Sequence, residues 1–145
     1  MSVNPYDSHL ETQVLSASPV ELVQLLYRGA IDALAAARLH LAAGDIPARA
    51  GAVTRAMNLV GELTQALDPD RGGDLASQLR DLYSYILRRI HEGNYQQQDA
   101  PFEEASRLLT TLLDAWQSIE QPVDPYNSAP VEEPERLSRS LSLTA

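Results

Sequence analysis

Four stretches of this chain repeat apolar residues at three- and four-residue spacing, and each is closed by helix-breaking residues, so a bundle of helices is the arrangement that buries them. The first carries Val23, Leu26, Ala30, Ala33, Ala37 and Leu41 on one face of a helix from residue 19 to about 43. Its start is specified three times over. Ser18 can accept from the Glu21 backbone N–H, Glu21 can reach back to the Ser18 N–H, and Pro19 sits at the first helical position, where no N–H is needed.

Gly44-Asp45-Ile46-Pro47 then supplies a glycine exit, an aspartate cap and a proline for the next first turn, so the second helix returns antiparallel over 47–67. It buries Val53, Ala56, Met57, Val60, Leu63 and Leu67. Asp68-Pro69-Asp70-Arg71-Gly72-Gly73 is expected to stop it and form a flexible turn, with Asp74 capping a third helix that ends at Gly93-Asn94. That helix keeps Leu75, Leu79, Leu82, Tyr83, Ile86 and Ile90 on its core face. Asp99 is expected to cap a fourth helix over 100–121, with Ala105, Leu108, Leu109, Leu112, Trp116 and Ile119 inward and Pro122 closing it.

No segment shows strand-like alternation. Four helices of about 18–25 residues would be about 27–37 Å long at 1.5 Å per residue, matched lengths that suit an antiparallel bundle. The expected class is therefore all-α, an antiparallel four-helix bundle over residues 18–121, with an N-terminal segment at 1–17 and a tail at 122–145. The tail carries four prolines and a serine-rich end without a periodic stripe, which predicts disorder.

The formal charge is −9, with 20 acidic residues against 11 basic ones, all arginine, a balance that repels nucleic acid and anionic membranes. Absence of cysteine excludes disulfides, thiolate metal sites and cysteine nucleophiles. Met1-Ser2-Val3-Asn4-Pro5-Tyr6 has neither a basic leader nor an apolar run of signal length, and no later stretch approaches 18 uninterrupted apolar residues, so a cytoplasmic protein without membrane insertion is expected.

Catalysis or metal binding in a bundle needs polar ligands pointing inward, such as Glu-x-x-His pairs on facing helices, and none occurs. His9, His40 and His91 lie in different segments and read as surface or helix-edge residues. A histidine phosphotransfer bundle would need an exposed mid-helix histidine beside a positive charge, whereas His91 stands at a helix end before Glu92-Gly93. Glycine-rich phosphate loops and nucleophile elbows are absent, and Glu103-Glu104 reads as favourable charge in a first helical turn. Neither an enzyme nor a cofactor or metal site is expected.

Surplus apolar residues point elsewhere. At 100° per residue, Leu25, Tyr27 and Ile31 project to one side or the other of the first seam, and Leu59, Leu87 and Leu113 stand off the others. Any one of them can be shielded by a neighbouring helix or by the N-terminal segment; the sharper expectation is that several together form a docking surface for another chain.

The residues named so far also carry a resemblance. Asn4-Pro5-Tyr6, Ala17-Ser18-Pro19-Val20-Glu21-Leu22, Leu26-Tyr27-Arg28-Gly29-Ala30-Ile31, Glu62-Leu63, Leu67-Asp68, Gly72-Gly73, Leu82-Tyr83-Ser84-Tyr85, Leu108-Leu109 and Ala115-Trp116 occur in an order and spacing that resembles the FliS family, the export chaperones of bacterial flagellin. Arg28 stands where the family carries an acidic residue, and the tail after Pro122 extends beyond the family's shared core. The resemblance implies a cytoplasmic chaperone that binds the C-terminal region of flagellin, prevents its premature polymerisation and delivers it to the flagellar type III export gate. It also implies that the N-terminal segment bearing Tyr6 covers the bundle and moves on binding.

The expected client-binding residues are Tyr6, Leu25, Tyr27, Ile31, Leu59, Leu87 and Leu113, while Ser18, Pro19 and Glu21 form the structural cap. The alternative is a non-chaperone helical interaction module that self-associates, as a homodimer, through the same apolar surface.

Overall fold

The computed structural model describes residues 19–118 and Tyr126. Four helices follow one another: α1 (Pro19–Ala43), α2 (Ile46–Gln65), α3 (Pro69–Gln96) and α4 (Asp99–Ser118), with no strand among the described residues. α1 packs against α2 and α4, and α3 packs against α2 and α4, so α1 faces α3 across the bundle. This is the antiparallel four-helix bundle that the four apolar stripes predict.

The local chemistry explains each reversal. After α1, Gly44 takes a left-handed φ of 72°, and the Asp45 N–H donates to the His40 carbonyl at 3.0 Å, closing the last turn. Asp45 then caps α2 through its side chain, which accepts from the Ala48 N–H at 3.1 Å. Ser18, the expected cap of α1, lies outside the described residues; Pro19 begins that helix as expected.

Two boundaries differ from the sequence reading. The 68–73 stretch is not a free turn: Asp68 accepts from the N–H groups of Asp70 and Arg71 and caps a helical turn opened by Pro69. The helical path breaks only at Gly73, whose φ of 50° and ψ of −129° glycine alone adopts easily. At its other end α3 runs past Gly93-Asn94 to Gln96, with Gln97 left-handed at the cap. Gly93 is buried there, and a Cβ on it would lie 2.9 Å from two ring carbons of Phe102 on α4. It is a packing residue that lets two helices approach.

Asp99, expected as a cap, begins α4, and its carboxylate pairs with Arg38 of α1 through two hydrogen bonds of 2.8 and 2.9 Å. The core is filled by Tyr27, Leu34, Val60, Leu63, Tyr83, Ile86, Ile90, Phe102 and Leu109, all fully buried. Arg49 is also buried, donating from Nε to Asn94 Oδ1 at 3.0 Å and joining α2 to α3. Among the described residues every buried side-chain polar atom has a partner.

Candidate functional site

The interior holds an aromatic node built from three of the four helices and one residue beyond them. Tyr27 of α1 and Tyr83 of α3 come from helices that face each other across the bundle, and their hydroxyls hydrogen-bond inside it. Their rings meet edge to face, with centroids 6.3 Å apart. Trp116, in the last described turn of α4, donates from Nε1 to the Tyr27 hydroxyl at 3.2 Å. Tyr126 completes the set: its hydroxyl bonds that of Tyr83, and its ring stands edge-on to Trp116 at 5.5 Å.

Burial raises the Tyr27 phenol above its ordinary value, against a smaller lowering by its hydrogen bonds, and burial beside the neighbouring phenols Tyr27 and Tyr126 raises Tyr83 far above it. The Tyr27 and Tyr83 hydroxyls therefore remain neutral in the physiological range. A phenol raised in this way is no general base, so the node orders the bundle and performs no proton chemistry.

This geometry corrects two expected positions. Tyr27 is fully buried and Leu113 is 8% exposed, so neither projects from the seam. In a four-helix bundle each helix touches two neighbours, and the buried arc is wider than a single stripe; Tyr27 and Leu113 fall within it. Trp116, assigned to the core stripe, is half-buried and packs against the core. Tyr126 is the one described residue of the segment read as a solvated tail, and it is 7% exposed. The expectation of a segment without packing fails at that residue, because an isolated aromatic with a hydrogen-bond partner can bury itself without any periodic pattern around it.

The other surplus residues remain part-exposed: Leu25, Ile31, Leu59 and Leu87 are half-buried. They do not form one patch. Leu59 lies against α1, its Cδ1 3.0 Å from where a Cβ on Gly29 would stand, and Leu25 precedes Gly29 by one turn on the same edge. Ile31 falls on the opposite edge of α1, two turns before Arg38, whose guanidinium reaches α4. On α3, Leu87 lies about 200° round from Tyr85 and Arg89, which turn toward α4, and so falls on the side of α2. Tyr6 and the Ser18 cap lie outside the described residues; Pro19 and Glu21 occupy the exposed first turn of α1.

The α3–α4 flank differs in character. Tyr85 donates to Glu104, Arg89 spans Glu104 at 3.0 Å and Glu92 at 2.7 Å, and Arg88 stacks over the Tyr85 ring. The hydrogen bond from Tyr85, then the neighbouring Arg89, hold the Glu104 carboxyl below its usual value. Sequence periodicity gives no sign of this network, although the charges of Arg88, Arg89, Glu103 and Glu104 are visible in the chain. Among the described residues no group of three or more His, Asp or Glu is placed to hold a metal ion, and no helix is long and apolar enough to cross a membrane.

Comparison with known proteins is consistent across the bundle. The family model for the flagellar protein FliS matches residues 2–123. The flagellar secretion chaperone FliS of Salmonella typhimurium is 38% identical over 111 residues, covering 76% of this chain and 82% of that protein. FliSB of Pseudomonas aeruginosa is 36% identical over 110 residues, 76% of this chain and 87% of its own length. FliS of Bacillus subtilis is 26% identical over 118 residues, covering 81% and 87% respectively. With a family match from the first residues through α4 and the bundle those residues build, the chain belongs to the FliS family of flagellar secretion chaperones.

Proposed function

We propose that this chaperone binds the C-terminal region of flagellin in the cytoplasm, keeps it from polymerising and delivers it to the flagellar type III export gate. The observation that carries the reading is the family match over residues 2–123, together with relatives named as flagellar secretion chaperones. Membership of a chaperone family also makes the protein a binder of other chains and not an enzyme.

The distribution of half-buried apolar residues supports a client that wraps. Leu25 with Leu59, Ile31, and Leu87 fall on three different helix edges, which one compact ligand would not span. An amphipathic client can lay successive apolar faces into grooves between bundle helices. Such a client loses conformational entropy on binding, and a large wrapped surface offsets that loss. In this reading the N-terminal segment bearing Tyr6 covers part of the same surface in the free protein, while Tyr27 and Leu113 shape the grooves from within. The polar α3–α4 flank, saturated by its own ion pairs, is left outside the contact.

The test is a titration with a flagellin C-terminal peptide, followed by light scattering on the mixture. A saturable 1:1 complex supports the proposal. Failure to bind, with the protein instead forming a homodimer at the same concentrations, favours a self-associating module.

A further inference from the structure

The aromatic node brings one hydrogen more than its helices accept. Trp116 Nε1–H donates to the Tyr27 hydroxyl, and the Tyr27 and Tyr83 hydroxyls bond to each other. One indole and two phenols supply three hydrogens to these two bonds, so whichever way the phenol pair is directed, one O–H is left over. Tyr27 and Tyr83 are fully buried, and that hydrogen needs an acceptor brought to it. Tyr126 brings one: its hydroxyl meets that of Tyr83, and its ring, 7% exposed, stands edge-on to Trp116. Tyr27, Tyr83 and Trp116 belong to three different helices and lie within the family match at 2–123, whereas Tyr126 lies beyond it. Pocket and occupant are thus separate parts of the sequence.

We propose that Tyr27, Tyr83 and Trp116 form a phenol-binding site, that the Tyr126 side chain is its ligand in cis, and that a free phenol binds in the same place once the Tyr126 ring is removed. The pocket fixes the chemical class of what enters it. An aromatic ring fills the space and packs against the indole, and an oxygen on that ring accepts the surplus hydrogen. A plain hydrocarbon ring meets the first requirement and fails the second. A carboxylate meets the second but carries an unpaired charge into a buried place. Eight residues of chain lead from Ser118 to Tyr126, and a ligand held on so short a tether has an effective concentration on the order of millimolar, so a more dilute phenol does not displace it. The site ties the chain beyond the family match to the bundle through one side chain. It stands apart from the flagellin reading, since its ligand belongs to this protein.

The probe is phenol, the group that Tyr126→Ala removes, with benzene as the same shape without the hydroxyl. Trp116 is the only tryptophan, so acrylamide quenching of its fluorescence, excited at the long-wavelength edge of the indole band, reads the site directly. Tyr126→Ala should raise the quenching constant severalfold and lower the thermal midpoint by several degrees. Phenol should reverse both changes in that variant and leave the parent midpoint unchanged. Benzene should bind the variant about fivefold or more weakly, the worth of one ordinary hydrogen bond. Tyr126→Phe should lower the midpoint although it fills the space, and Tyr83→Phe should cost less in that background than in the parent, because the two changes remove one shared bond. If Tyr126→Ala does not fold, the coupling between these two phenylalanine changes decides the matter. The proposal is overturned if Tyr126→Ala leaves quenching and midpoint at parent values, if benzene protects as well as phenol, or if the two phenylalanine effects simply add.

Discussion

The Phe102 ring fills the space beside Gly93 so closely that its Cδ1 and Cε1 lie 2.9 Å from where a Cβ would stand, and the Gln98 carbonyl oxygen lies 3.2 Å from the same point. Phe102 is fully buried and the Gln98 oxygen is backbone, so neither can swing aside. Gly93→Ala should therefore destabilise the fold by about 1–3 kcal/mol, the usual range for overpacking, even though alanine is the better helix former. The thermal midpoint should fall by several degrees. An additional Phe102→Leu change, which shortens the obstructing ring, should recover part of that loss. A midpoint at or above the parent's for Gly93→Ala would show that α3 and α4 separate freely at this point.

The tyrosine node predicts alkaline sensitivity. In the unfolded chain a phenol ionises near pH 10, whereas Tyr27 and Tyr83 are both raised in the native state and keep their protons. Above that pH the native state binds more protons than the unfolded one, so stability falls as pH rises, by about 1.4 kcal/mol per pH unit for each tyrosine. The contribution is fully present below pH 10. Urea midpoints measured between pH 8 and 11 should be flat at first and then drop, and Tyr83→Phe should reduce the slope of the drop. A midpoint unchanged to pH 11 would mean that the hydroxyls are reached by solvent.

Tyr27→Phe tests the same node at neutral pH. It removes the acceptor of the Trp116 N–H and one partner of the Tyr83 hydroxyl without altering ring volume. Leaving buried polar groups unpaired should cost about 1–3 kcal/mol, read as a lower denaturation midpoint with an unchanged far-ultraviolet spectrum. Equal stability of the phenylalanine variant would place water at the node.

How much of this the chain discloses depends on the kind of interaction. Val23, Ala30, Val53, Val60, Leu79, Ile86 and Leu109 recur at helical spacing and lie buried where that spacing puts them. Asp45 is legible as a cap because its neighbours, glycine before and proline after, punctuate the chain locally. Tyr27 and Leu113 were harder to place, since a single-stripe reading does not reach the flanks that two neighbouring helices cover. Gly93 reads as a terminator until Phe102 is known to need its space, and nothing local to Arg49 points to Asn94, 45 residues later, which accepts its Nε–H. Tyr126 carries no periodic signal at all. These are long-range pairings, and local sequence records only one member of each.

The Arg38–Asp99 pair is a further long-range contact, and its size is bounded by its exposure. Both side chains are 40–51% exposed, so the bidentate geometry is worth at most about 1 kcal/mol and weakens with salt. The hydrogen bonds from Arg38 hold the Asp99 carboxyl below its usual value. Its stabilisation is therefore present above the ordinary aspartate value near pH 4 and is lost as pH falls through the lower native value. Asp99→Asn should lower the midpoint by no more than a few degrees at neutral pH, with the difference from the parent shrinking toward pH 2 and at 1 M salt. A larger, salt-independent loss would assign Asp99 a packing role in starting α4.

The last prediction separates groove residues from the core beneath them. Leu59 rests over Gly29 and Ile31 lies on the far edge of α1, both half-buried, whereas Leu113 is buried in the core. A charge placed at a part-exposed position can stay solvated in the free protein but becomes unpaired and costly under a client helix. Ile31→Asp and Leu59→Asp should accordingly leave the fold intact, with a midpoint within several degrees of the parent, and weaken binding of the flagellin C-terminal peptide at least tenfold. Leu113→Asp should instead unfold the protein. Glu104→Gln, on the polar α3–α4 flank, should leave peptide affinity unchanged. If Ile31→Asp unfolds the chain while Leu59→Asp binds normally, the edges of α1 are ordinary core, and Leu87 on the α2-facing side of α3 becomes the position where a client must be sought.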